Sequence, residues 1–100
     1  MLLHTVAFSL NPETLPTSAR EHLSLIKQRL EALTAAIPQL IGMEVVVNEN
    51  GDEVPAFLLR ATVASYQDLQ TYATHPAHVA VVKELIAPYK TARVCVDYEL

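Results

Sequence analysis

One apolar stripe sets the terms for this chain. Leu15, Ala19, Leu23, Ile26, Leu30, Leu33 and Ile37 recur at steps of three and four residues. That spacing gives an α-helix one buried face. Arg20, Lys27, Gln28 and Glu31 fill the other side. The helix has two candidate starts: Ser18 and Glu21 have capping-box spacing, and Thr14 ahead of Pro16 could begin it earlier. Pro38 ends it, because a proline disfavours helical geometry in the residue before it. A helix with one apolar side must bury that side against another element.

The runs around it read as strands. LLHTVAFSL mixes β-branched, aromatic and aliphatic residues and stops at Asn11-Pro12, which predicts a strand over about residues 2–10. Alternation puts His4, Val6, Phe8 and Leu10 on one face and Leu3, Thr5, Ala7 and Ser9 on the other. Leu40 to Asn48 is strand-like around Val45, Val46 and Val47. Asn50-Gly51 predicts a tight hairpin turn with positive φ. The return strand runs from about Val54 to Ala64, with Pro55 near its start, where a missing ladder donor does least harm.

Ser65 and Asp68 again have cap spacing, for a short helix holding Tyr66, Leu69 and Tyr72. His75-Pro76 breaks it, and Pro76 suits the first position of a second helix. Val79, Val82, Leu85 and Ile86 give that helix an apolar side, and Pro88 closes it. TARVCVDYEL is a last strand, about 91–99. The order β-α-β-β-α-β predicts a ferredoxin-like α+β fold: one four-stranded antiparallel sheet with helices on one face. Residues 1–100 form one domain, without repeat, linker or low-complexity segment.

Composition matters because of that one-sided architecture. The chain is 51% hydrophobic and only 18% charged. A domain this small buries only about two-thirds of its unfolded surface. Apolar residues on the uncovered sheet face need a partner, and a second copy of the chain is the simplest one. A homodimer through the sheet faces is therefore expected. The formal charge is −4, and the seven basic residues are scattered, so no nucleic-acid groove is expected. Cys95 is the single cysteine, which excludes an intrachain disulfide and fits a reducing compartment. MLLHTVAFSL has no basic leader region and its apolar run is broken by His4 and Thr5, so it makes a poor signal peptide. No window approaches the ~20 apolar residues of a membrane span. The expectation is a cytoplasmic protein without membrane contact.

Three stretches carry a family likeness: the opening LLHTVAF, the run Tyr72-Ala-Thr-His75-Pro-Ala-His78 with VAVVKELIAP after it, and the closing VCVDYEL. On these residues the whole chain resembles the stress-responsive dimeric α/β-barrel family, often called Dabb. The Tyr-x-x-His-Pro-x-His run is the specific part. The resemblance implies two sheets packed face to face into a barrel with helices outside. Most members have no assigned reaction. One plant branch is a polyketide cyclase that closes a linear polyketide by aldol condensation. Carried over, its roles make His78 the general base and Tyr72 its partner, with His4 in the same pocket. That branch has a further pocket histidine in the second hairpin strand, where this sequence carries Phe57. A likeness to cofactor-free monooxygenases built on the same barrel is a further alternative, and no residue singles it out.

The residue types fit such chemistry. A neutral imidazole at His78 can take a proton from a carbon between two carbonyls near neutral pH. Tyr72 can donate a hydrogen bond to the enolate that forms. His75 precedes a proline at a helix start, so a backbone cap is its expected role. The expected pocket is small and mostly apolar, lined by His4, Val6, Phe8, Phe57, Leu69 and Val82 beside Tyr72 and His78, and suited to a small apolar or aromatic ligand. His75, His78 and His4 could share a metal, but no nearby carboxylate or cysteine completes the set, so none is expected. With only Gly42 and Gly51 in the chain there is no phosphate loop, and no cofactor is expected. Cys95 reads as a buried inert thiol, and Asp97 and Glu99 as edge or interface polar groups. The expected function is a Dabb-type protein of unassigned activity whose pocket binds a ligand; the alternative is a small-molecule enzyme of the cyclase kind. An open cavity reaching both Tyr72 and His78 would favour the enzyme, and a filled interior the first reading.

Overall fold

The computed structural model describes residues 1–51 and 55–100. Its elements follow the expected order: β1 (Leu2–Leu10), α1 (Ala19–Glu31), α2 (Leu33–Ala36), β2 (Gly42–Val47), β3 (Phe57–Val63), α3 (Tyr66–Thr74), α4 (Pro76–Val81) and β4 (Lys90–Glu99). The four strands lie in the order β2-β3-β1-β4, and every neighbouring pair is antiparallel. This is the ferredoxin-like arrangement.

Local chemistry sets the boundaries. Of the two candidate starts for α1, Ser18 is the one used: its hydroxyl accepts the Glu21 N–H at 3.2 Å. Thr14 belongs instead to a short 3-10 turn over Pro12–Thr14. Ile37, just before Pro38, is extended at φ −120° and ψ 103°, as a pre-proline residue must be. Ser65 caps α3 in the same way, accepting the Asp68 N–H at 3.2 Å.

The β2–β3 connection differs from the tight turn expected at Asn50-Gly51. Val47 pairs with Phe57, so the connection spans 48–56, and Gly51 is not at positive φ. Asn48 organises it instead. Its carbonyl oxygen accepts the Asn50 N–H at 2.9 Å, and its amide donates to the Pro55 carbonyl at 2.8 Å. An Asx turn of this kind replaces the glycine-dependent geometry. Val54, expected as the first residue of the return strand, lies outside the described residues.

Alternation divides the sheet as anticipated. Leu2, Val6, Phe8, Val45, Phe57, Leu59, Ala61 and Val63 are buried on the face that α1–α4 cover. Ile26, Leu30, Leu33, Ile37, Tyr72, Val81, Leu85 and Ile86 close over them. Val79, expected on the inner side of α4, is exposed, and Val81 is buried in its place. Val82, Leu85 and Ile86 pack inward as the spacing implies, so Val79 alone departs from the expected apolar side. Beyond α4 the chain widens into a π turn over Val82–Ile86, with the Ala87 N–H bonded to the Val82 carbonyl at 2.7 Å. Buried His22 pins this turn: its Nε2 donates to the Leu85 carbonyl at 2.7 Å. On the uncovered face Val46, Val94, Val96 and Tyr98 stand exposed in one band across the sheet.

Candidate functional site

The site is built where the α3–α4 break meets β1 and β4. His75 has φ −62° and ψ 133°, extended geometry that turns the chain between the two helices. Its Nδ1 accepts the Ala77 N–H at 3.0 Å, so His75 is a cap, as its place before Pro76 implies. The turn brings Tyr72 and His78 onto one cavity although they are six positions apart. Their ring centroids lie 4.3 Å apart, tilted by 43°.

A backbone contact holds the His78 ring. Its Nδ1 lies 3.0 Å from the Ala73 carbonyl. A carbonyl can only accept, so Nδ1 carries the hydrogen, and in the neutral ring Nε2 keeps its lone pair. Partial burial pushes the imidazole pKa below its usual value, and the neighbouring His4 and His75 add to this. The backbone bond to Ala73 opposes the shift without reversing it. The result is a neutral base near pH 7. Tyr72 is 2% exposed, and burial pushes its phenol pKa well up, against a weaker pull from the Arg93 charge. It is therefore a neutral donor. Its hydroxyl has no hydrogen-bond partner among the described residues.

His4 faces the same cavity from β1, edge-on to Tyr72 with centroids 6.5 Å apart. Its Nδ1 lies 2.6 Å from an Asp97 carboxylate oxygen. The two residues are direct cross-strand partners, and Cys95 stands on the same face of β4. The Cys95 thiol donates to Asp97 at 3.4 Å and lies 3.4 Å from His4 Nδ1. Partial desolvation works against the Asp97 charge, but hydrogen bonds from His4 and Cys95 outweigh it and hold the carboxyl below its usual pKa. Burial, with Asp97 beside it, pushes the Cys95 thiol up, which keeps it protonated and unreactive.

This corrects the expectation that His4 has no carboxylate or cysteine nearby. His4, Cys95 and Asp97 have donor atoms within 4.8 Å of one another, a set that could ligate a divalent ion. The Arg93 charge acts on both Cys95 and Asp97 and opposes a cation there. The short His4–Asp97 contact serves the imidazole directly. It orients the ring and leaves Nε2 as the free nitrogen.

The cavity itself measures about 300 Å³ and opens to solvent. Val6, Phe8, Leu59, Leu69, Val82 and Ile86 form its apolar walls. His4, Tyr72 and His78 converge on it, joined by Gln70, Lys90 and Arg93. Of the residues expected to line the pocket, Phe57 is the one placed elsewhere. It stacks on Phe8 with centroids 5.1 Å apart and borders a different hollow beside Val46 and Val47. That hollow is larger, about 470 Å³, but Glu49 is the one titratable group among its described lining residues. The convergence of two imidazoles and a buried phenol, His4, His78 and Tyr72, marks the smaller cavity as the candidate site.

The model of the stress responsive A/B barrel domain family matches residues 2–100. The chain belongs to that family. A dimeric protein of unknown function and ferredoxin-like fold from Bacteroides fragilis is 34% identical, with a TM-score of 0.89. The match covers 99% of this chain and 95% of that one. A dimeric ferredoxin-like protein of unknown function from Thermobifida fusca is 25% identical over 99% of this chain and 90% of that one, with a TM-score of 0.80. A hydroxynitrile lyase from Passiflora edulis is 14% identical over 97% and 90% of the two chains, with a TM-score of 0.75, a likeness of fold alone. No curated protein matches the chain. The Bacteroides fragilis and Thermobifida fusca structures are described as being of unknown function, so the family match identifies the domain and names no reaction. Among the described residues no helix is long and apolar enough to cross a membrane.

Proposed function

We propose that this Dabb domain is a homodimeric small-molecule enzyme that abstracts a proton from a carbon acid. One observation carries the reading: Tyr72 and His78 converge on an open cavity of about 300 Å³ rather than on a filled interior. His78 Nε2 takes the proton from a carbon flanked by carbonyls. The electron pair of the broken C–H bond moves onto a carbonyl oxygen, and the Tyr72 hydroxyl donates a hydrogen bond to that enolate. The enolate carbon can then add to another carbonyl of the same molecule, as in an aldol closure. The resulting alkoxide recovers a proton from the imidazolium, so acid and base are regenerated.

The dimer is proposed to form through the outer sheet face. Exposed Val46, Val94, Val96 and Tyr98 supply the apolar band, and two similar structures are described as dimeric. The proposed location is cytoplasmic, which the single cysteine supports.

The test follows hydrogen–deuterium exchange at the α-carbon of a 2-substituted β-keto ester with an apolar tail, read by NMR. Wild-type protein should accelerate exchange, and His78→Ala should lose about 10²–10⁴-fold of that rate while keeping its fold. Full exchange activity in the His78→Ala variant would remove the mechanism. A second reading is a binding protein without turnover. The position of Phe57 favours it, because β3 then contributes no polar group to the cavity. Saturable binding of the ester without accelerated exchange would establish that reading instead.

A further inference from the structure

A bulge in β4 gives the cavity a cationic wall. Along a regular strand, residues 90 and 93 would face opposite sides of the sheet. Here the β1–β4 register shifts between Ser9 and Leu10: Ser9 pairs with Ala92 and Leu10 pairs with Lys90, leaving Thr91 unpaired. The extra residue turns both Lys90 and Arg93 to the inner face, opposite Leu10 and Phe8. Both side chains line the cavity that holds His78 and Tyr72. Among the described residues neither takes part in an ion pair, and no carboxylate lines the cavity.

We propose that Lys90 and Arg93 form an anion subsite, so that the ligand is a small molecule with an apolar body and a carboxylate end. This deepens the reading of the cavity as a ligand site and rests on it. The apolar walls of Val6, Leu59, Leu69 and Ile86 take the body. The two cations take the carboxylate, Arg93 in the two-pronged geometry that guanidinium allows and Lys90 as a point charge. Attraction of the anion is local. The chain as a whole carries a formal charge of −4, which repels anions at longer range.

The test compares octanoate with octanamide, its neutral isostere, by isothermal titration calorimetry at low salt and about pH 8, where an ordinary imidazole is uncharged. Octanoate should bind about tenfold more tightly than octanamide, the scale of a charge-assisted contact at a solvent-open site. The preference should shrink as salt is added. In the double variant Lys90→Met/Arg93→Met octanoate and octanamide should bind alike. Arg20→Met changes the net charge on α1 and should keep the full preference. Equal binding of the two probes by the wild type would overturn the anion subsite while leaving the cavity a ligand site. So would a preference that survives the double variant or falls equally in Arg20→Met. Binding of neither probe would overturn both readings together.

Discussion

Val96 stands on β4 with 57% of its surface exposed, facing away from the helices. Burying a whole valine side chain stabilises by about 1.5–3 kcal/mol, so covering what Val96 exposes is worth roughly 1 kcal/mol. In a twofold interface each substitution acts twice, so the Val96→Lys change forfeits about 2 kcal/mol of apolar burial. It also carries two ammonium groups toward the interface. Their long stems let the charges escape in part, which limits the further cost to about 1 kcal/mol or more. A total of about 3 kcal/mol weakens dimerisation at least a hundredfold. Sedimentation velocity over a concentration series should show wild-type dimer and Val96→Lys monomer at low micromolar protein. The far-UV circular dichroism should stay intact, because Val96 lies outside the buried cluster. Val79→Lys is the control: Val79 is 44% exposed but sits on α4, on the helical side, and its replacement should leave association unchanged. A dimer of unaltered affinity in Val96→Lys, or dissociation in Val79→Lys, would refute the assignment of the interface.

Three further outcomes follow from the site and the core. Tyr72→Phe removes only a hydroxyl that has no partner among the described residues, so thermal stability should change by less than about 0.5 kcal/mol. Carbon-acid exchange should nevertheless fall by about 10²-fold or more, as for loss of an oxyanion donor. His78 has a folded-state pKa below its ordinary value, chiefly through burial, so the unfolded chain binds more protons in the window between the two values. Its stabilising contribution is complete above the unfolded pKa and is lost as pH falls below that value toward the folded one. The melting temperature should drop more steeply in wild type than in His78→Gln below about pH 6.5, the unperturbed histidine value, and parallel curves would contradict this. Phe57 is 1% exposed and stacked on Phe8, so Phe57→Ala should cost about 3–5 kcal/mol in denaturant unfolding.

The fold was legible because its signals are local. Ser18, Ser65 and Pro38 act within three residues of where they stand, and periodicity needs only a window of a helix or strand. The errors came where a second influence intervened. Asn50-Gly51 suggests a glycine turn, but Asn48 has hydrogen bonds at both ends of the connection and sets a wider one. Val79 and Val81 are both apolar and two positions apart, so the pattern alone did not fix which faces inward. Tyr72 and His78 were legible as a pair through the resemblance, and their meeting depends on the extended geometry of His75.

Asp97, Lys90 and Arg93 show what a linear reading misses. Asp97 reads as an edge carboxylate until β4 is laid against β1, and only the register puts it opposite His4. A shift of one residue would send Asp97 to the outer face and leave His4 without its anchor. Lys90 and Arg93 depend on the same pairing in the opposite sense, since they share a face only because the register slips at Ser9 and Leu10. No composition or spacing rule distinguishes Thr91 as the residue left out of the ladder. One strand thus does two things for the cavity. Its regular half fixes the orientation of an imidazole through Asp97, and its irregular half turns two cations inward. The anchoring of His4 and the cationic wall are therefore properties of how β4 is aligned on β1, and an insertion or deletion in β4 should disturb both, whereas Tyr72 and His78 are placed by α3 and α4.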